Sequence, residues 1–356
     1  MILVVKMDYD KDECIRAVSR VFDSDRFVNG TEVENFELSF AKFCRAKCCS
    51  MVNSGTSALH LALLANGIGK NDEVIIPAFS FVATANVVKY VGAKPVFVDI
   101  SLDDYTIDPE QIITAITSKT KAIIAVHLYG HKPNMDKINR IAKQNNLIVI
   151  EDCAQSSGYK LPKNSKNTYC FSFFTSKNLT VLGYGGAVVT NKNNLKTKID
   201  ILRNVGRVDK HSHNCVGFNY RMSEIHAAIG REQLKHLDES IQRRREIASK
   251  YSTGLNHIKN IKLPRPVSSQ WNSYVIGNNK RDLLKSQLES VGIETMVYYA
   301  KAITEQEPYR KEGFPNAEKL AKIGLVIPLY PSLKNEEINF VIRTVKKLAI
   351  SNNGDW

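Results

Sequence analysis

Short apolar runs punctuate the first half of the chain, at Cys48–Val52, Val74–Ile76, Pro95–Val98, Ala122–Val126 and Leu147–Ile150. Between them lie stretches with apolar residues at helical spacing, Thr56–Asn66, Val82–Val91, Pro109–Ile116 and Met135–Gln144. Strands that alternate with helices imply parallel pairing, because a parallel return needs a crossover of that length. Runs as continuously apolar as Leu147–Ile150 suit strands covered on both faces. The expected class is α/β, a doubly wound, mostly parallel sheet. Upstream, residues 11–50 read as helices leading to a strand, with a turn at Asn29-Gly30 and Phe36, Phe40 and Phe43 on one helical face. Downstream, Ala187–Thr190 reads as a strand and Leu195–Arg203 as a helix. Ser223 is placed to cap one long helix running to about residue 255. A boundary near residue 250 then divides a large domain, 1–250, from a smaller α+β domain, 251–356, that begins with the proline-interrupted loop Leu263–Val267.

Size and charge narrow the picture only a little. A chain of 356 residues with 43% hydrophobic content can hold two cores. It has no apolar run of membrane-spanning length, and its opening residues do not resemble a secretory signal, so a cytoplasmic protein is expected. The seven cysteines show no paired ligand spacing; Cys44, Cys48 and Cys49 are read as small core residues rather than a metal site, and no metal is expected. The net charge of +13 fits an anionic partner without choosing one, be it nucleic acid, a phosphorylated cofactor or a nucleotide-linked substrate. Basic residues are spread along the chain, and Arg243-Arg244-Arg245 reads as a solvated helix face, so no nucleic-acid partner is expected.

Chemistry concentrates at Lys177. From Asn167 to Asn191 it is the only charged residue, although 24% of the chain is charged. Apolar neighbours on both sides should desolvate it and lower its pKa toward the range in which a neutral amine attacks a carbonyl, which makes it a candidate Schiff-base lysine. Ligand sites in such sheets form at the carboxyl ends of the strands. There the first strand is followed by Asn53-Ser54-Gly55-Thr56-Ser57, either a plain helix cap or a phosphate cup. The second is followed by Phe79 and Phe81, which suit either core packing or stacking on a planar ring. After Leu147–Ile150 come Glu151 and Asp152, acids that need a structural ion pair or a bound heterocyclic cation. No Walker loop or G-x-G-x-x-G opens the alternation.

Taken in order, FVNGTEVENFE, NSGTSALHLAL, PAFSFVATANVV, GAKPVFVDI, VHLYGHKPNMD, VIEDCAQSSG, CFSFFTSKNLT, GFNYRMSEIHAA and IPLYPSL resemble the sugar aminotransferases of the DegT/DnrJ/EryC1/StrS family, within fold type I of pyridoxal-phosphate enzymes. The resemblance implies pyridoxal 5'-phosphate as cofactor, alternating with its pyridoxamine form, covalently held by Lys177, which also shuttles the proton. It implies Asp152 on the pyridinium nitrogen, Gln155 near the phenolic oxygen and Phe81 against the ring. Thr56, Ser57 and Ser172 would bind the phosphate, with Gly55 allowing close backbone approach. Asn219 would reach the phosphate of a neighbouring subunit, which implies a homodimer with shared sites. Implied substrates are glutamate or glutamine as donor and a nucleotide-linked keto-sugar as acceptor, with a 4-keto-6-deoxyhexose preferred over a 3-keto sugar or a cyclitol-type ketone, in amino-sugar biosynthesis. Related sugar 3-dehydratases carry a histidine where Lys177 stands. Two departures bear on the substrate: Tyr184 replaces an acid common in the family, and Met296–Lys301 replaces a common His-Tyr-Pro segment.

Overall fold

The computed structural model describes residues 1–266 and 268–351; Val267, which closes the proline-interrupted loop, and residues 352–356 of the expected small domain lie outside them. The apolar runs form strands β1 (Cys48–Val52), β2 (Glu73–Pro77), β3 (Lys94–Val98), β4 (Thr120–Val126) and β5 (Ile148–Asp152). With β6 (Thr168–Ser172) and β7 (Gly186–Thr190) they make a seven-stranded sheet in the order β1-β7-β6-β5-β4-β2-β3. From β3 through β6 every pairing is parallel. The exception is β7, which runs antiparallel to both β1 and β6. The expected mostly parallel sheet is therefore present, but β1 joins it through an antiparallel neighbour that comes much later in the chain.

Helices α1 (Lys11–Ser24), α2 (Thr31–Cys44), α3 (Gly55–Ala65), α4 (Ala83–Tyr90), α5 (Pro109–Ala115), α6 (Met135–Gln144) and α7 (Asn193–Arg203) accompany this sheet. In α6 the Asn134 side chain accepts from the Lys137 N–H, and Met135, Ile138, Ile141 and Ala142 pack with Ile75, Ile123 and Val149 of the strands. On α2, Phe36 and Phe40 are fully buried, and the Phe40 ring lies 5.1 Å from both Phe171 and Phe173. This pins α2 beneath β6 and the segment that leads to Lys177.

The single long helix expected after Ser223 is two helices, α8 (Glu224–Lys235) and α9 (Leu237–Leu255), with His236 between them. Ser223 does cap α8, accepting from the His226 N–H. Apolar periodicity continues through His236, so the pattern alone reads as one helix. The break does not coincide with a change of core: Ala227 and Leu234 of α8 and Leu237 and Ile241 of α9 pack in the same core as α2, and only Ile247, Tyr251 and Leu255 further along α9 join a separate one. That second core is built on β8 (Tyr274–Gly277) and β9 (Gly324–Ile327), an antiparallel pair, with α10 (Arg281–Ser290), α11 (Pro315–Ile323) and α12 (Asn335–Ser351) completing this part of the chain. The chain start also reaches it, because Ile2 pairs with Ile293 and the Val4 N–H donates to Glu294. The cysteines are free, all buried except Cys215. Among the described residues no helix is long and apolar enough to cross a membrane.

Removing the Phe40 ring leaves a cavity between α2 and β6 that its rigid neighbours cannot fill. Phe40→Ala is expected to destabilise the protein by about 3–5 kcal/mol, read as a lowered urea midpoint with an unchanged slope.

Candidate active site

Because β7 runs antiparallel, its first residues reach the same edge of the sheet as the carboxyl ends of its neighbours. Gly186 lies in register with both Val52 and Ser172. The approach there is close: a Cβ on Gly186 would fall 2.5 Å from the Ser54 carbonyl, and one on Gly55 would fall 2.8 Å from Ser172 Cβ. Two glycines thus let the ends of β1, β6 and β7 meet.

A cavity of about 410 Å³ opens at this edge, lined by Gly55, Thr56, Phe81, Asp152, Gln155, Ser172 and Lys177 among others. Two further expected residues are placed elsewhere. Ser57 does not line the cavity: its hydroxyl donates to Asn53 Oδ1 at 2.6 Å and its N–H to the Ser54 hydroxyl at 3.0 Å, the geometry of a helix cap. Asn219 is exposed, and its Oδ1 accepts from Arg221 at 3.1 Å.

The two acids at the end of β5 separate as strand alternation requires. Glu151 is buried against His127 Nε2 at 2.9 Å and Asn167 Nδ2 at 2.7 Å. His127, Glu151 and Cys153 bring ligand-type atoms within 4.8 Å of one another, but the Glu151 carboxylate is already engaged and burial pushes the Cys153 thiol well up. Asp152 faces the cavity. Its Oδ1 accepts from the Ala154 N–H at 3.1 Å and its Oδ2 from the Thr84 hydroxyl at 3.2 Å. Burial raises its carboxyl above the usual range, against those hydrogen bonds and the pull of Lys177.

Lys177 is half-buried in the same cavity, and desolvation lowers its amine from 10.5 to about 8, opposed by the charge of Asp152. Beside it, Asn178 Nδ2 donates to the Gln270 carbonyl at 2.8 Å. The strap that follows returns to the turn Leu128–Gly130 after β4, where the Asn272 N–H donates to the Tyr129 carbonyl at 2.9 Å and the Tyr129 N–H donates to Gln155 Oε1 at 2.7 Å. The lysine, the strap and Gln155 form one connected frame.

Thr84, Asn272, Tyr298 and Tyr299 also line the cavity and were not singled out in the sequence as site residues. Thr84 carries a faint signal, one helical turn after Ser80, to which it is hydrogen-bonded at 3.1 Å. Tyr299 lies in the segment that departs from the family pattern; its ring is 5.9 Å from that of Phe81, and Gln155 hydrogen-bonds its hydroxyl.

This donor set fits pyridoxal phosphate. A weakly basic amine suits the aldehyde, a buried carboxylate held by donors suits a ring nitrogen that carries a proton, and hydroxyls at the start of α3 suit the phosphate. Residues 8–346 match the DegT/DnrJ/EryC1/StrS aminotransferase family. The chain is 39% identical over 351 residues to a pleiotropic regulatory protein of Geobacillus stearothermophilus, covering 94% of each. It is 37% identical over 345 residues to the dTDP-3-amino-3,4,6-trideoxy-alpha-D-glucose transaminase of Streptomyces venezuelae, covering 94% of this chain and 91% of that protein. Against the dTDP-3-amino-3,6-dideoxy-alpha-D-galactopyranose transaminase of Aneurinibacillus thermoaerophilus the identity is 38% over 355 residues, covering 96% and 97%. Among solved structures, S. venezuelae DesV in complex with a ketimine intermediate matches with a TM-score of 0.93 at 36% identity, covering 97% of this chain and 96% of that one. Bacillus subtilis NtdA with bound cofactor PMP matches with a TM-score of 0.90 at 32% identity, covering 95% and 82%. The chain therefore belongs to the DegT/DnrJ/EryC1/StrS family of pyridoxal-phosphate-dependent aminotransferases, and it has their fold.

Proposed function

We propose that this aminotransferase moves an amino group from glutamate or glutamine to the keto carbon of a nucleotide-linked sugar, for amino-sugar biosynthesis. The observation that carries the reading is the shared cavity of Lys177 and Asp152, in a chain similar over nearly its whole length to transaminases of dTDP-sugars. Lys177 Nζ would hold the cofactor, and Asp152 would pair with its ring nitrogen. Gln155 would lie by the phenolic oxygen and Phe81 against the ring. Thr56, Ser172 and the backbone at Gly55 would take the phosphate; Ser57 supports that cup by donating its N–H to the Ser54 cap, its own hydroxyl being engaged by Asn53. When bound, the cofactor supplies an electron sink for the carbon that loses its proton. Lys177 Nζ would accept that proton and give it back, a task suited to an amine poised near pH 8. The Ala154 and Thr84 donors favour the charged form of Asp152 against its burial, and that carboxylate would hold the opposing positive charge in place.

The family resemblance favours a 4-keto-6-deoxyhexose as acceptor. The names of the two dTDP-sugar transaminases, each a 3-amino sugar enzyme, favour the 3-keto alternative. The same reading makes the working unit a cytoplasmic homodimer in which Asn219, exposed here, reaches the partner's site, with no metal in the reaction. It also divides the chain near residue 250, within α9, into a cofactor-binding part and a smaller C-terminal part. A regulatory role is the name of one relative, and it leaves the lysine cavity without a purpose.

The holoenzyme is expected to absorb near ~420 nm and to bleach when glutamate is added; a colourless protein that ignores added cofactor refutes the reading. Lys177→Ala should cut amino transfer by about 100-fold or more, measured as aminated product by mass across a panel of 3-keto and 4-keto nucleotide sugars, a panel that also decides the carbon aminated. In apo-protein, modification of Lys177 by an amine-directed reagent should rise with pH to a midpoint near 8, whereas surface lysines continue rising to about 10.4. Peptide mass mapping separates the two classes.

A further inference from the structure

Aromatic side chains stand in water where the cavity opens: Phe81 is 54% exposed, Phe174 37% and Tyr184 68%. Apolar surface of this kind beside a ligand cavity marks a contact made only when something binds. Phe81 is taken up by the proposed cofactor ring. Phe174 and Tyr184 remain, paired with each other at 5.3 Å between centroids and tilted by 44°. Tyr184 is turned outward for a structural reason. Gly183 and Gly185 flank it with their backbones pressed inward: a Cβ on the first would lie 2.6 Å from the His226 ring, and one on the second 2.9 Å from Met222 and Val181. The tyrosine between them has only the cavity mouth to occupy.

Size decides what meets it. Pockets for small ligands run from about 300 to 1,000 Å³, and 410 Å³ is taken up by the cofactor together with one hexose ring. The remainder of a nucleotide-linked sugar must lie over the rim, and its one planar, stacking part is the base. We infer that Phe174 and Tyr184 form the platform on which the nucleobase of the substrate stacks. The inference rests on the nucleotide-linked substrate proposed above. Because every base presents a π face, such a platform selects for a nucleotide without choosing which one. An aromatic at position 184, where the family commonly has an acid, also removes a negative charge from the path of the diphosphate.

The test uses holoenzyme and calorimetry, with thymidine, uridine and guanosine diphosphates as probes. Tyr184→Ala should weaken binding of those diphosphates that the wild type binds by ~10-fold, and Tyr184→Phe should keep it within about threefold. KM for the nucleotide-linked keto-sugar should rise in parallel with kcat retained, as loss of uniform binding requires. The exposed position makes unfolding an unsuitable explanation, and an unchanged melting temperature verifies this. Unchanged diphosphate affinity in Tyr184→Ala overturns the inference. So does conversion of the alanine variant to a smaller oligomer, which would assign the pair to a contact between copies of the chain. A wild-type holoenzyme that bleaches with glutamate yet binds none of the three diphosphates and aminates no nucleotide-linked sugar overturns the nucleotide-linked substrate itself, and the platform with it.

Discussion

The site depends on one amine and one carboxylate being taken out of water together. Burial alone would neutralise both, lowering Lys177 and raising Asp152, and a cavity with neither charge would have little chemistry to offer. The protein resists this unequally. Asp152 receives a backbone N–H and the Thr84 hydroxyl, which favour its charged form, while Lys177 has only the attraction of Asp152 against its desolvation. The outcome is an amine close to its reactive form facing an acid that still needs a cation, and a protonated ring nitrogen meets that need.

Bringing the groups to one edge is the work of the sheet. Parallel strands deliver Ser80, Asp152 and Ser172 to the same rim through their carboxyl ends, but the lysine segment leaves β6 and must return. Running β7 back antiparallel between β6 and β1 closes that excursion and sets Gly186 beside Ser54. Van der Waals limits then dictate hydrogen in place of a side chain at Gly55 and Gly186. The strap through Gln270 and Asn272 fixes the far side of the lysine loop to the turn that follows β4.

Much of this was legible in the residues. Apolar residues at helical spacing gave α6 its bounds at Met135–Gln144, and an isolated charge in an apolar stretch pointed to Lys177. What escaped reading depended on distant partners. The antiparallel setting of β1 is decided by a strand far along the chain, and the break at His236 interrupts an apolar periodicity that carries on from Leu234 to Leu237 within one core. Ser57 was ambiguous for a local reason, since a hydroxyl at a helix start serves an anion and the helix end equally well; here Ser54 is the cap and the Ser57 hydroxyl turns to Asn53. Asn272 and Tyr299 carry no charge or spacing of their own; only tertiary folding brings them to the cavity.

The distribution of the cysteines has a practical consequence. Cys14, Cys44, Cys48, Cys49, Cys153 and Cys170 are enclosed, and burial raises each thiol so that little thiolate forms. Cys215 alone meets solvent. Labelling with a maleimide dye therefore attaches one fluorophore per chain, on the loop just before Asn219, without any prior removal of the other thiols by mutation.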